Sequence, residues 1–355
     1  MSIFDEVLKS NESIFKNDVA LSYEFMPKFV PYREGEQRVI ASGVAPLFHN
    51  RTGRNIIIHG PPGVGKTVAT RHVLAELEKK SADIIPYYIN CWQKNTTYKI
   101  MLGLCDLLDY RFTHNKKTDE LFSVIKSKLQ RQAVVFIFDE IDKAEDTDFL
   151  YWILSDILQK SVICITNFPQ SIAEMDMRVK SRLTPELIEF KPYNQKEIQG
   201  ILQQRVQLAF YDKVWEPEAL QEIFSITTTL KDVRTGLYLL KEAGLAAEEK
   251  ASKKVTLQHT QSALKKLNEF KIKDTQTLDN DIQDILEVTK GAVDKRIGEL
   301  FETYTQKGGK ASYKTFQRRI QKLAEGKFIN VKKVQGGIEG TSTLVTYNTT
   351  LLDFS

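Results

Sequence analysis

Short runs of β-branched and aromatic residues alternate with helix-like stretches over the first half of the chain. This alternation is typical of a parallel β-sheet covered by helices on both faces, because strands buried on both sides read as continuous apolar runs. The pattern predicts an α/β domain with five strands, at residues 55–59, 84–90, 134–139, 161–166 and 187–190.

From residue 193 onward the strand-like runs stop and apolar residues follow a helical spacing. This spacing predicts an all-α lid with helices at residues 196–210, 216–228, 232–249 and 258–271. The polar stretch 273–280, with the sequence KDTQTLDN, has little apolar content and predicts a linker. We therefore expect a core over residues 1–192, a lid over 193–272 and a third domain over 273–355.

The third domain is predicted to be a winged helix. Apolar spacing indicates helices at residues 281–289, 293–306 and 312–325, followed by strands at 328–334 and 343–347. Glycines stand where such a unit needs breaks, in the pair before the third helix and at the hairpin tip. Three helices and a hairpin in this order are the elements of a winged-helix domain.

The composition is that of a packed globular protein, with 42% hydrophobic and 27% charged residues. The longest strictly apolar run, residues 133–138, covers six residues, whereas a membrane span needs about 20. Asp5 and Glu6 interrupt any signal-like start. Three cysteines without a C-x-x-C spacing fit a reducing compartment. We therefore expect no membrane association and a cytoplasmic location.

The charge is distributed unevenly along the chain. The excess of 50 Lys and Arg over 46 Asp and Glu is too small to indicate a nucleic-acid partner by itself. Residues 291–333, however, hold 11 basic and 4 acidic residues, and no basic residue follows Lys333. The net charge of this segment, +7, exceeds the net charge of the whole chain, +4. This excess of basic residues in the predicted winged helix favours a nucleic-acid contact there.

Residues 60–67, GPPGVGKT, match the pattern G-x-x-x-x-G-K-[ST] between a predicted strand and a predicted helix. In this loop the glycines allow successive backbone N–H groups to turn toward phosphate oxygens. Lys66 supplies a cation to the β- and γ-phosphates, and the Thr67 hydroxyl can ligate Mg²⁺. The motif therefore predicts a site for a nucleoside triphosphate with Mg²⁺.

Two acidic residues end the third predicted strand and two arginines precede the fifth. Asp139 is expected to hold Mg²⁺ through water, and Glu140 to act as general base toward the attacking water. Asn167 ends the fourth strand and could hold that water or contact the γ-phosphate. Arg178 and Arg182 could reach a neighbour's nucleotide as an arginine finger. Solvated basic surface explains either arginine equally well, and the sequence does not rank the two.

Together these motifs resemble an AAA+ ATPase, and their flanks resemble the archaeal replication initiators, relatives of origin-recognition subunits and of the cell-division-control helicase loader. The matching segments occur in order along the chain: FVPYREGE at 29–36, YINC at 88–91, FDEID at 138–142, ITN at 165–167, RVKSRL at 178–183 and FKPY at 190–193. The resemblance implies the AAA+ fold and ATP or ADP with Mg²⁺ as cofactors.

The resemblance also implies a set of nucleotide contacts. The segment 29–36 would wrap the adenine, and KDVRTGLYLLKEAG at 231–244 is similar to the family's sensor-two helix, which makes Arg234 the γ-phosphate contact. Lys231 departs from the family, which often has glycine there. The nucleotide contacts expected are Val30, Arg33, Pro62, Gly63, Val64, Gly65, Lys66, Thr67, Val68, Tyr193, Arg205 and Arg234.

In a winged helix the third helix enters the major groove of DNA and the hairpin lies along the backbone or the minor groove. A spacing of four residues places Lys314, Arg318 and Lys322 on one face of that helix. The expected DNA contacts are these three together with Arg319, Lys332 and Lys333. A solvated basic helix is the alternative interpretation.

These features predict an ATP-dependent, nucleoid-associated initiator that binds duplex origin DNA, supports helicase loading and uses ATP as a switch with slow turnover. Further partners expected are a paralogous initiator and the replicative helicase, with a monomer in solution or an assembly on DNA. One alternative is an AAA+ partner of a transposase or helicase that uses DNA as a platform. Another is a non-catalytic nucleotide-switched transcription regulator, against which the pair Asp139 and Glu140 argues.

Overall fold

The computed structural model describes residues 13–168, 175–276, 280–290, 292, 295–325, 329–336 and 340–347. The chain divides into two compact units. The first comprises Lys16–Phe210 and Lys231–Leu237 and contains the sheet predicted from the sequence. The second comprises Tyr211–Leu230 and the described residues from Tyr238 onward, with residues 13–15.

Five parallel strands form the sheet of the first unit, in the order β2-β3-β4-β1-β5. Every predicted strand is confirmed within one residue at each end. The strands are β1 (Ile56–His59), β2 (Ile84–Asn90), β3 (Ala133–Asp139), β4 (Lys160–Thr166) and β5 (Glu186–Glu189).

The apolar sequence of β3 follows from its burial on both faces of the sheet. All seven of its residues are buried. Alternate side chains point to opposite faces of a strand. Phe136 and Phe138 therefore join one core cluster, whereas Val135 and Ile137 join the other. Helices cover both faces, which is the arrangement expected for an all-parallel sheet.

In the described part of the first unit, seven α-helices connect and flank these strands. The helix that begins at Gln195 has a capping box, in which the side chains of Asn194 and Glu197 each accept a hydrogen bond from the other's backbone N–H. The helices are α1 (Glu34–Val44), α2 (Lys66–Lys80), α3 (Thr97–Leu107), α4 (Thr118–Leu129), α5 (Asp148–Asp156), α6 (Met177–Leu183) and α7 (Gln195–Ala209).

The lid helices lie close to their predicted bounds, at α8 (Pro217–Leu230), α9 (Val233–Glu249) and α10 (Leu257–Gln276). The helix predicted over residues 258–271 runs further, because α10 continues to Gln276, and α11 (Asn280–Thr289) begins at Asn280. The linker at residues 273–280 stays a prediction. Low apolar content alone does not end a helix, and this stretch contains neither glycine nor proline. Residues 277–279 lie outside the described part.

The C-terminal elements are α11, β6 (Lys295–Arg296), α12 (Ile297–Gln306), α13 (Tyr313–Glu325), β7 (Ile329–Gly336) and β8 (Gly340–Tyr347). The helix predicted to begin at residue 293 starts only at Ile297, because Lys295 and Arg296 pair with β8 as a short strand. The antiparallel sheet has the order β6-β8-β7. Phe328 and the hairpin tip at 337–339 lie outside the described part of the chain. Three helices followed by a β-hairpin are the elements, and the order, expected of a winged helix.

Aromatic side chains form the centre of this C-terminal domain. Phe316 is fully buried, and its ring centroid lies 5.3 Å from that of Phe301 and 5.2 Å from that of Tyr304. Such tilted ring pairs add to the stabilisation from burial alone.

Within the described residues, no helix is both long and apolar enough to cross a membrane.

Replacing Phe316 by alanine should destabilise the C-terminal domain by about 3–5 kcal/mol, because a large aromatic side chain is removed from a packed core. Hydrogen–deuterium exchange of peptides from α12 and α13 should then be about a hundredfold faster or more. Gln317→Ala is the matched control, since Gln317 is exposed on the same helix. Equal exchange in both variants would contradict this account of the core.

Candidate active site

A cavity of about 650 Å³ lies at the carboxyl edge of the sheet in the first unit. Its walls come from the loop before α2, the ends of β2, β3 and β4, the segment before α1, helix α7 and the start of α9. The predicted site residues that line it are Val30, Gly63, Val64, Gly65, Lys66, Thr67, Val68, Asp139, Glu140, Asn167, Tyr193, Arg205 and Arg234. Arg33 and Pro62 are not among its lining residues.

The loop before α2 depends on two glycines with left-handed backbone. Gly63 has φ of 78° and Gly65 has φ of 87°, a region that other residues rarely adopt. A Cβ atom at Gly65 would lie 2.6 Å from the Tyr193 hydroxyl, and one at Gly63 would overlap the Asp232 carboxylate. The glycines of the motif are therefore required both by conformation and by the close approach of neighbouring side chains.

Lys66 begins α2 and is buried. Its Nζ donates to the backbone oxygens of Gly60 at 2.8 Å and Pro61 at 2.9 Å and to Asn167 Oδ1 at 2.8 Å. Burial lowers the pKa of Lys66 to about 8, although the Asp139 carboxylate opposes this shift. The ammonium group thus stands in a desolvated position where an anionic ligand would stabilise its charge.

Three donors hold the Asp139 carboxylate at the end of β3. Thr67 Oγ1 donates to Oδ2 at 2.7 Å, the Tyr88 hydroxyl donates to the same oxygen at 2.6 Å, and the Glu140 N–H donates to Oδ1 at 2.9 Å. Burial raises the pKa of Tyr88, which keeps the phenol protonated and donating. The hydroxyl and carboxylate oxygens that Mg²⁺ prefers therefore meet in one place.

Glu140 has a left-handed backbone with φ of 54°, an uncommon conformation that is frequent at functional sites. Burial raises the pKa of Glu140, and the neighbouring Asp139 and Asp142 carboxylates add to the effect. Both influences favour a proton-accepting carboxylate that is more basic than an exposed glutamate. Its side chain is half-buried and lines the cavity.

Arg234 lies in the first turn of α9, with an exposed side chain that lines the cavity. Its backbone N–H donates to Asp232 Oδ1 at 3.0 Å, which caps the start of the helix. Lys231 has φ of 53°, so it adopts the left-handed conformation that glycine favours. The turn before Arg234 is therefore formed despite the departure from glycine at this position.

Two predicted arginines support the cavity walls. Arg33 donates from Nε to the Val64 oxygen at 3.1 Å, and its guanidinium carbon lies 4.0 Å from the Tyr193 ring centroid. Arg205 donates to the backbone oxygens of Ala20 at 3.0 Å and Phe25 at 3.4 Å, and burial lowers its pKa to about 10.

Several residues at the site have only weak sequence signals. Residues 23–27 line the cavity, yet the pattern before α1 marks them only as a mixed aromatic and polar stretch. Tyr88 belongs to the YINC segment, but nothing in the sequence predicts the hydrogen bond from its hydroxyl to Asp139. Asp142 belongs to FDEID, and it accepts the Thr166 hydroxyl at 2.9 Å.

Arg178 and Arg182 lie on α6 and are not among the residues that line the cavity. Arg178 Nη2 lies 2.9 Å from Asp176 Oδ2 and 3.8 Å from Asp148 Oδ1. The Arg182 guanidinium lies 4.6 Å from the Tyr151 ring centroid. Both side chains are exposed, so a role in catalysis would require the nucleotide of a neighbouring copy.

The basic residues predicted to contact DNA lie on α13 and β7 of the second unit. Lys314, Arg318 and Lys322 are exposed, and Arg319 is half-buried. The opposite side of α13 is formed by Phe316, Ile320 and Leu323, all buried. Lys332 and Lys333 pair with Leu344 and Thr343 of β8, and their side chains lie outside the described part.

Comparisons with known proteins agree with this architecture. A family model described as an AAA domain matches residues 49–167, and one described as the Cdc6 AAA+ ATPase-type lid domain matches residues 199–265. The ORC1-type DNA replication protein 1 of Archaeoglobus fulgidus is 31% identical, over 91% of this chain and 84% of its own. The ORC1-type DNA replication protein 1 of Sulfurisphaera tokodaii is also 31% identical, over 90% of this chain and 86% of its own.

Solved structures share the fold over nearly the whole chain. The Aeropyrum pernix ORC1 protein in complex with DNA has a TM-score of 0.70 and 24% identity, and the match covers 97% of this chain and 96% of that one. The Aeropyrum pernix ORC2 protein, in ADPNP–ADP complexes, has a TM-score of 0.71 and 17% identity, with 96% of each chain covered.

The lowered pKa of Lys66 predicts that nucleotide binding depends on pH. Bound phosphates stabilise the protonated amine and raise its pKa, so the ADP affinity should fall about tenfold between pH 7 and pH 9. Binding near pH 8 should take up protons, which calorimetry in buffers of different ionisation enthalpy measures. Lys66→Arg keeps its charge throughout this range and should lose the dependence. Equal pH profiles for the two proteins would contradict the assignment.

Proposed function

The chain belongs to the ORC1-type DNA replication proteins and is an AAA+ ATPase, and we propose that it is an initiator that binds duplex origin DNA under the control of ATP. One observation carries the proposal. Lys66, Thr67, Asp139 and Asn167 meet through hydrogen bonds in a single cavity that Arg234 also lines. A phosphate loop, an acidic strand end and a lid arginine are the groups that hydrolysis of a triphosphate requires.

Nucleotide binding is proposed to use the cavity as follows. The backbone N–H groups of the glycine loop and the Lys66 ammonium bind the phosphates, and residues 23–31 with Tyr193 enclose the base. Thr67 and Asp139 would hold Mg²⁺, and their oxygens, 2.7 Å apart, are suitable donors. When bound, Mg²⁺ neutralises charge on the phosphates. Glu140 accepts a proton from the attacking water, and Asn167 orients that water.

The switch is proposed to act through helix α9. Arg234 stands in its first turn and would contact the γ-phosphate, and the helix continues from the first unit into the second. Lys66 would contact the same phosphate from α2. Loss of the γ-phosphate therefore removes a contact that biases the position of α9. We further propose that Arg178 or Arg182 completes the site of a neighbouring copy on DNA.

For DNA, we propose that α13 places Lys314, Arg318 and Lys322 along the phosphate backbone, with Lys332 and Lys333 on the wing strand. The exposed position of the first three supports this role. The DNA complex of the similar Aeropyrum pernix ORC1 protein supports a duplex as the partner, and the two numbered Aeropyrum pernix proteins support a paralogous initiator as a second partner. The replicative helicase is proposed as the protein that is loaded.

Lys66→Ala and Glu140→Gln should separate binding from hydrolysis. Glu140→Gln should lower the ATPase kcat about 10²–10⁴-fold with little change in nucleotide affinity, because it removes a proton acceptor and keeps the shape. Lys66→Ala should weaken binding as well. Lys79→Ala, at an exposed position of the same helix, is the matched control. If both site variants hydrolysed ATP at the wild-type rate, the assignment of Lys66 and Glu140 to the ATPase site would be contradicted.

A triple alanine variant at Lys314, Arg318 and Lys322 should bind duplex DNA more weakly at every sequence. Loss of three phosphate contacts should reduce the slope of log K against log salt by up to about 2.7. A triple alanine variant at Lys250, Lys253 and Lys254 lowers the net charge equally and serves as control. An equal effect of both variants would show that charge alone, and not this face of α13, governs binding. Footprinting on genomic DNA tests origin recognition, since an initiator should protect repeated sites near a replication start.

A further inference from the structure

Asp142 is a buried carboxylate to which the proposed reaction assigns no role beyond the effect of its charge on Glu140. It lies in the turn Ile141–Lys143 directly after β3, with 6% of its side chain exposed, and it is not among the residues that line the cavity. Burial of a carboxylate is unfavourable unless its oxygens accept hydrogen bonds or pair with a cation. The contacts of this side chain therefore indicate what it does.

Among the described residues, two groups at the carboxyl end of β4 donate to Asp142 Oδ1. The Thr166 hydroxyl donates to this oxygen at 2.9 Å and the Asn167 backbone N–H at 3.4 Å. The second oxygen, Oδ2, is buried, has no hydrogen-bond donor among the described residues and lies 3.6 Å from Lys143 Nζ. Asp142 thus ties the turn after β3 to the backbone that carries Asn167.

The position of this backbone determines where the Asn167 side chain can reach. Asn167 Oδ1 accepts a hydrogen bond from Lys66 Nζ at 2.8 Å, so the amide is already directed at the phosphate-binding group. A displacement of the β4 tip by about 1 Å would take this pair beyond hydrogen-bond distance. To restore the contact, the Asn167 amide would have to leave the side-chain conformation in which it meets Lys66.

We propose that Asp142 is a positioning residue for hydrolysis, which fixes the tip of β4 so that the Asn167 amide is held at the γ-phosphate and the attacking water. This inference rests on the proposed ATPase function and adds a residue to it. Asp142 does not line the cavity, and its positioning effect acts through Asn167.

The same loop provides a matched control. Asp146 also accepts a threonine hydroxyl, that of Thr97, and it accepts the Thr97 backbone N–H at 3.1 Å. These contacts support the start of α3, and Asp146 has no hydrogen bond to Asn167 among the described residues. A carboxylate whose only effect is to stabilise the loop should therefore behave like Asp146.

A double-mutant cycle tests whether Asp142 acts through Asn167. Asp142→Ala should lower kcat at least tenfold with the nucleotide affinity unchanged within about threefold. In an Asn167→Ala background the same change should have less than a threefold effect, because the group it positions is absent and only the loss of its charge near Glu140 remains. Asp142→Asn keeps an acceptor oxygen and should retain kcat within about threefold. Asp146→Ala should leave kcat unchanged in both backgrounds.

Equal effects of Asp142→Ala in both backgrounds, or no effect in either, would overturn the proposal. If Asp142→Ala does not fold, Thr166→Val removes one of the two donors and enters the same cycle, with a smaller loss of kcat that must again vanish in the Asn167→Ala background.

A second measurement needs no turnover. In protein labelled with ¹⁵N-asparagine, Asp142→Ala should shift the backbone amide resonance of Asn167, whereas Asp146→Ala should not. An unshifted resonance would overturn the proposal even in active protein. The two failures are distinguishable: absence of hydrolysis by the wild-type chain contradicts the proposed function, and an unshifted Asn167 amide contradicts the positioning role.

Discussion

The buried ammonium group of Lys66 is the charge on which the site depends. A cation removed from water is costly unless acceptors surround it, and here two backbone oxygens of the loop and the Asn167 amide take that place. The carbonyl groups of Gly60 and Pro61 must therefore turn toward Lys66 Nζ. Glycine in the left-handed region makes that turn possible, so the glycines, the lysine and the strand end form one interdependent arrangement.

Strand register brings the partners of this cation to the same edge. His59 of β1 lies opposite Thr166 of β4, so the start of the glycine loop and Asn167 follow their strands at the same level. Phe138 of β3 pairs with Cys164, which places Asp139 one position further along. Buried strands cannot slip without exposing apolar side chains or unpairing backbone groups. The core thus fixes distances in the site that no side chain sets alone.

The strands and the phosphate loop could be predicted from the sequence because their signals are local. Strands buried on both faces read as apolar runs, and the glycine loop has fixed spacing. Tyr88 and Asp142 could not be predicted, since their contacts join residues on different strands. The nucleotide contact of Arg33 stays a prediction, and the contacts of its guanidinium with the Val64 oxygen and the Tyr193 ring are ones that a motif cannot reveal. The continuation of α10 to Gln276 shows that polarity without a glycine or proline is a weak signal for the end of a helix.

Helix α9 runs without interruption from Val233 to Glu249, although the chain divides between the two units at Leu237 and Tyr238. Seventeen residues at 1.5 Å each make a rod of about 25 Å. Residues on both sides of the Leu237–Tyr238 division therefore share one continuous ladder of backbone hydrogen bonds, which extends from the turn that holds Arg234 to Glu249.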